Sequence, residues 1–244
     1  MPGIAIRPFS SDDVPAAAEL LAGRHRADRA RLPMLSGKLE DAGLWAEVLD
    51  GALRGAAQTV AATRAGRLVG FLLADHMLFP PDAMMAQWIP PHSLSMGYQG
   101  HAVAEGEDAT DVVRLLYAEI AADAVRQGFF IHRVEIIAGD RAIEEAWVNL
   151  GFGRTLTAAT RDTGPVMIGD VPDIAVHEAG AEDIDVVMNL AHTLDLHHAT
   201  APMFWPIIRE AHAAARAFNV EALKDPATPY FVAHKDGRPA GMQT

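Results

Sequence analysis

The stretch Ile4-Ala5-Ile6-Arg7-Pro8-Phe9-Ser10-Ser11-Asp12-Asp13 comes back as Ile174-Ala175-Val176-His177-Glu178-Ala179-Gly180-Ala181-Glu182-Asp183, displaced by 170 positions. In the first copy Ile4 to Arg7 reads as a short strand. Pro8 ends it, Ser10 or Ser11 can cap the next helix, and Asp12 and Asp13 stand in that helix's first turn. A second pair follows in the same order. Thr59-Val60-Ala61-Ala62-Thr63-Arg64-Ala65-Gly66-Arg67-Leu68-Val69-Gly70 returns as Tyr230-Phe231-Val232-Ala233-His234-Lys235-Asp236-Gly237-Arg238-Pro239-Ala240-Gly241, displaced by 171. Two separated matches at nearly one offset describe a duplication the size of a domain, far longer than a solenoid repeat. The first copy runs on to Arg161, whereas the second reaches Thr244 soon after Gly241. The expected organisation is a complete domain over 1–162, a linker over 163–172 rich in Gly and Pro, and the opening part of a second domain over 173–244.

Working outward, Val14 to Gly23 reads as a helix with Val14, Ala17, Ala18 and Leu21 on one face, and Lys38 to Leu53 as a second. Gln58 to Arg64 and Leu68 to Asp75 flank Ala65-Gly66, a hairpin signal. Residues 78–92 hold four prolines and read as a long surface loop. Gly97 to Ala104 is the next strand, followed by the acidic turn Glu105-Gly106-Glu107-Asp108. Ala109 to Gln127 is a strong amphipathic helix closed by Gly128. Then come a buried strand (His132 to Ala138), a helix (Arg141 to Leu150) and a strand (Arg154 to Arg161). After the linker the pattern restarts with a strand at 174–177, helices near Glu182–His192 and Pro206–Leu223, and a hairpin at 230–241. This order predicts an α/β fold with a mixed central sheet flanked by helices, and a partial second copy.

Composition narrows the function classes. Lys+Arg 20 against Asp+Glu 32 gives a net charge of -12, which argues against nucleic acid or an anionic membrane as partner. An acidic surface can attract amines, or simply keep the chain in solution. With no cysteine, disulfides, thiolate metal sites and cysteine nucleophiles are excluded. The N-terminus carries no apolar signal core and no apolar run approaches a membrane span, so a cytoplasmic location is expected. The chain holds no P-loop, no Gly-x-Gly-x-x-Gly and no Gly-x-Ser-x-Gly.

The stretch Val134 to Arg154 runs strand, Ala-containing helix, Gly151-Phe152, strand. It resembles the closing part of the cofactor-binding half in the GCN5-related N-acetyltransferase (GNAT) family, and Ile4 to Asp13 resembles that family's opening strand and helix. The resemblance covers 3–161 and again 173–244, the layout of the tandem members. It implies an acyl-CoA N-acyltransferase-like fold, acetyl-CoA as cofactor, and acetyl transfer to an amine of a small molecule or peptide. By position it assigns cofactor contacts to Ala102, Val103, Gly106, Asp140 and Trp147. His101 stands where the family's strands splay, as a base or water-orienting group, or as a packed strand histidine.

The departures are as informative as the matches. Where the family has a basic, glycine-rich loop whose amides cradle a pyrophosphate, this chain reads Val103-Ala104-Glu105-Gly106-Glu107-Asp108-Ala109-Thr110-Asp111, and only Gly106 remains. Asp140 replaces the family's helical Asn. Trp147 replaces its Tyr, and an indole N–H cannot serve as an acid at ordinary pH. The first domain is therefore expected to be catalytically degenerate, having lost cofactor binding or binding it in an unusual way. The alternative is a non-catalytic relative with a structural, dimerising or ligand-sensing role.

His192, Asp195, His197 and His198 are the densest titratable cluster. The five-residue step from His192 to His197 misses the i, i+4 spacing of helical metal ligands, so no metal site is expected. Met84, Met85 and Trp88, and likewise Met203, Phe204 and Trp205, could form a lid or an oligomer interface. An open hairpin at 230–241 leaves a sheet edge, so pairing with a second copy or with the first domain is expected.

Overall fold

The computed structural model describes residues 3–159, 164, 165, 169, 173–200, 205 and 207–244. The chain divides into two compact units, Met1–Leu78 with His92–Asp162, and Phe79–Pro91 with Thr163–Thr244. No helix among the described residues is long and apolar enough to cross a membrane.

The first unit is a mixed sheet flanked by helices. Its elements are β1 (Ala5–Pro8), α1 (Val14–Arg31), α2 (Ala42–Gly55), β2 (Gln58–Arg64), β3 (Arg67–Met77), β4 (Ser93–Met96), β5 (His101–Val103), α3 (Ala109–Arg126), β6 (Ile131–Val134) and α4 (Arg141–Asn149). The strand order is β1-β2-β3-β4-β6, with β5 also paired to β3. All of these pairs are antiparallel except β4 with β6. One apolar cluster, including Val69, Leu72, Leu94, Met96, Val112, Leu116, Ile120 and Trp147, joins the sheet to α3 and α4. A second joins it to α1 and α2 through Phe9, Leu21, Trp45, Leu49 and Phe71. The apolar stripe of α3 expected from periodicity is buried as expected.

Two strand expectations are corrected. Gly97 to Ala104 is not one continuous strand, and β6 runs parallel to 93–96 instead. After Met96 the chain makes a 3-10 turn over Tyr98–Gly100, and β5 resumes against β3 alone. At Gly100 a Cβ would lie 2.8 Å from the Leu73 carbonyl oxygen, so the backbone can cross β3 this closely only where a side chain is missing. The strands thus part between Met96 and His101. Secondly, 154–159 form no strand, and 160–161 lie outside the described residues. Helix α1 also runs past Gly23 to Arg31, since one glycine inside a helix costs only about 1 kcal/mol, less than this helix's burial returns.

The second unit contains β7 (Ile174–Glu178), α5 (Ile184–His198), α6 (His212–Ala222), β8 (Phe231–Lys235) and β9 (Arg238–Gln243), with sheet order β7-β8-β9. It repeats the start of the first unit in backbone detail. The register slips between Ala62 and Thr63 in one hairpin and between Ala233 and His234 in the other. Each hairpin turns on two residues with positive φ, Ala65 at 50° and Gly66 at 79°, then Asp236 at 52° and Gly237 at 73°, the geometry that follows strand twist. Ser10 N donates to Asp13 at 2.9 Å, and Gly180 N donates to Asp183 at 3.0 Å. The Arg7–Asp13 pair of the first unit becomes His177–Asp183 in the second.

Candidate functional site

The feature that positions a site in the first unit is the parting of β5 from β6. The gap between them is spanned by a side chain. His101 is 5% exposed, and its Nε2–H donates to the Glu135 carbonyl at 3.0 Å. Burial, and then the nearby Arg24 charge, pushes the His101 pKa down to about 3. The imidazole is therefore neutral at ordinary pH, and its Nε2 proton is committed to a backbone oxygen. This geometry favours the packed strand histidine over a proton-accepting base.

Below the gap lies a cleft of about 210 Å³, lined by Arg24, Asp28, Tyr98, His101, Ile136, Ile137, Asp140 and Ile143. Its polar wall is a network in which, among the described residues, only the buried Arg24 Nε lacks a hydrogen bond, lying 4.0 Å from Asp28. Arg24 donates through Nη2 to the Tyr98 carbonyl at 2.7 Å and through Nη1 to the His101 carbonyl, and its guanidinium stacks 3.8 Å from the Tyr98 ring centre. The Tyr98 hydroxyl donates to Asp28 at 2.8 Å, and Arg31 also reaches that carboxylate. Burial drives the Tyr98 hydroxyl up to about 12, so it stays protonated. Arg24, Asp28 and Tyr98 were not singled out in the sequence.

Trp147 closes the other side of the gap. It is 2% exposed and packs edge-on against His101 at 5.9 Å, Tyr117 at 5.8 Å and Phe152 at 5.0 Å. Among the described residues its indole N–H has no hydrogen-bond partner. The Tyr117 hydroxyl is 2.8 Å from His132 Nδ1 and donates to it, because His132 Nε2–H serves the Phe129 carbonyl at 3.0 Å. Ala102 and Val103 lie in β5 opposite Phe71 and Gly70.

The N-terminus of α3 is where an anionic cofactor would be expected. Asp108 caps it, its carboxylate accepting from Thr110 N at 2.9 Å and Asp111 N at 3.3 Å. Gly106 sits in the preceding turn with φ +81°. Glu107 is pinned by Arg64 at 2.9 Å and Arg67 at 3.3 Å. Asp140 caps α4, accepting from Ile143 N at 3.3 Å, and so lies at the cleft as a cap. Two amides at the head of α3 are thus taken by the Asp108 carboxylate, and Trp147 packs on His101 in the gap.

In the second unit, His192 and Asp195 lie on α5 and are joined by His212, the first residue of α6, which the sequence reading missed. His197 and His198 stand apart at the end of α5. A cleft of about 270 Å³ adjoins the trio, lined by Gln87, Asp195, Trp205, Ile207, Ile208 and His212. Of the other apolar candidates, Trp88 is 64% exposed after a 3-10 turn, and Met203 and Phe204 lie outside the described residues.

No protein-family model matches the chain, and no curated protein matches it. Solved structures do. A single-residue mutant of the BH1408 protein from Bacillus halodurans superposes with a TM-score of 0.52 at 13% identity, covering 65% of this chain and 98% of that one. A ribosomal-protein-alanine N-acetyltransferase from Brucella melitensis biovar Abortus 2308 gives 0.46 at 14% identity, covering 66% and 99%. A predicted acetyltransferase from Clostridium acetobutylicum, solved with acetyl-CoA, gives 0.48 at 7% identity, covering 66% and 96%. At these identities the likeness is one of fold, and it rests on the first of the three.

Proposed function

We propose that this protein serves acyl-CoA-dependent N-acetyl transfer to an amine of a small molecule or peptide, and that residues 3–159 take part as a unit that does not itself hold the cofactor. The acyltransferase-like sheet and the acidic surface support the first half of this reading. The second half rests on one observation: the Asp108 carboxylate occupies the Thr110 and Asp111 amides at the head of α3. A pyrophosphate would have to displace that cap and also sit against Glu105 and Asp111, a like-charge cost it recovers nowhere else in the loop.

The filled gap around Trp147 favours a second reading, in which the whole chain is a non-catalytic member of the fold with a structural, dimerising or ligand-sensing role. The two readings part on chemistry. Free thiol released from acetyl-CoA in the presence of an amine panel supports transfer, and silence across the panel supports the second reading.

The cofactor assignment has its own test. A ligand that binds only the native state at a hundredfold excess over Kd stabilises it by about 2.7 kcal/mol. Amide hydrogen exchange of the whole chain with and without acetyl-CoA should show no gain in protection over 104–111 or 135–147. Protection gained there overturns the assignment.

A further inference from the structure

We propose that His192, Asp195 and His212 form a binding site for a first-row divalent cation, with Zn²⁺ the best match. The donor atoms of the three side chains all lie within 4.8 Å of one another. Ligands bound ~2.1 Å from one tetrahedral ion are ~3.4 Å apart, so the trio closes on an ion by small side-chain rotations. His192 is exposed and the other two are partly so, which leaves room for that motion.

The chemistry of the set is specific. Two neutral imidazoles and one carboxylate are borderline donors, suited to zinc and its first-row neighbours rather than to calcium or magnesium, which take oxygen. The imidazole rings stand nearly perpendicular, at 78° with centres 5.9 Å apart. Among the described residues none of the three side chains donates or accepts a hydrogen bond or joins an ion pair, so no internal partner competes for their lone pairs. Such idle groups in a folded chain normally find partners within it or in water, and here they converge on one point.

Local electrostatics cuts both ways. His192 and Asp195 belong to the last two turns of α5, the negative end of whose dipole favours a cation, while His212 opens α6, whose N-terminus disfavours one. The Asp195 charge tips the balance toward binding. Three protein ligands leave a coordination position open, and Asp195 and His212 also line the neighbouring cleft with Trp205, Ile207 and Ile208. A metal here would present its open position to a pocket with an apolar wall. No hydrogen bond among the described residues fixes either imidazole from behind, so the affinity expected is below that of a site with oriented ligands.

The test uses the whole chain without a histidine tag, stripped with a chelator and titrated calorimetrically with ZnCl₂. One ion should bind per chain, and binding should weaken as pH falls through the imidazole range, because protonated ligands must lose protons first. His192→Ala and His212→Ala should each lower the affinity by about a hundredfold. The double variant His197→Ala/His198→Ala, which alters the neighbouring histidines outside the trio, should bind like the parent. Cobalt substitution gives an independent readout, since a low-coordinate Co²⁺ site absorbs strongly in the visible and should lose that band in His212→Ala. No binding by the parent, binding undiminished in His212→Ala, or binding lost in the His197/His198 variant would each overturn the proposal.

Discussion

At the scale of single residues, the buried polar groups of the first unit separate what the sequence shows from what it hides. The apolar stripe of α1 was legible as Val14, Ala17, Ala18 and Leu21. The same spacing continues as Ala22, His25 and Asp28, which are also buried, so the stripe turns polar while keeping its period. Polar residues at core spacing are the signal for the Arg24–Asp28–Tyr98 network, and a helix ended at Gly23 leaves them out. His101 was legible as a strand residue at the splay. Its protonation state was not, because that depends on burial and on Arg24, far away in sequence. A histidine neutral in the fold with its pKa near 3, and ordinary when unfolded at about 6.5, binds fewer protons folded than unfolded between those values. The stability it protects is therefore complete above pH 6.5 and declines as pH falls toward 3. Within that window the parent should lose up to about 1.4 kcal/mol per pH unit relative to His101→Gln, which cannot titrate. Urea unfolding of both proteins at several pH values measures this, and parallel pH profiles would contradict it.

Among the elements, α3 was the easiest to read and its N-terminus the most consequential. The run Glu105, Glu107, Asp108, Asp111 identified an acidic helix start, but not which carboxylate would fold back onto the amides. Asp108 does so, while Glu107 turns to Arg64 and Arg67. Asp108→Ala should cost about 1 kcal/mol as a lost cap, and Asp108→Asn should keep most of the stability, since the amide oxygen can still accept. Chemical denaturation midpoints decide between a cap and a spectator, and equal midpoints for the parent and Asp108→Ala would rule out the cap. The β4–β5 break was less legible. Ser93-Leu94-Ser95-Met96 has strand alternation, yet it adjoins a proline-rich segment and fell outside both the loop and the strand as read. Gly97 and Gly100 bracket the turn that splits one expected strand into two, and only the close approach to Leu73 explains why the chain turns there.

On the scale of the whole molecule, the two units share a plan but not a depth of core. The first holds two apolar clusters joined through its sheet, whereas the second gathers Ala179, Val187, Tyr230 and Val232. Strand β7 is exposed along its length, with Val176 61% exposed. Fewer buried contacts mean a lower free energy of local opening. In native-state hydrogen exchange the amides of β7, β8 and β9 should exchange before those of β2 and β3, and equal protection would refute this ordering.

The paired hairpins also bear on descent. Their register slips and positive-φ turns recur at one spacing while most side chains around them have changed, as Thr63 has to His234 and Ala65 to Asp236. A bulge alters which face every following side chain occupies, so a lineage can exchange residues one at a time but cannot move the bulge without reversing a whole strand. Backbone irregularity is then inherited more faithfully than residue identity. The likeness of the two hairpins is better traced by the interval between bulge and turn than by the letters that fill it.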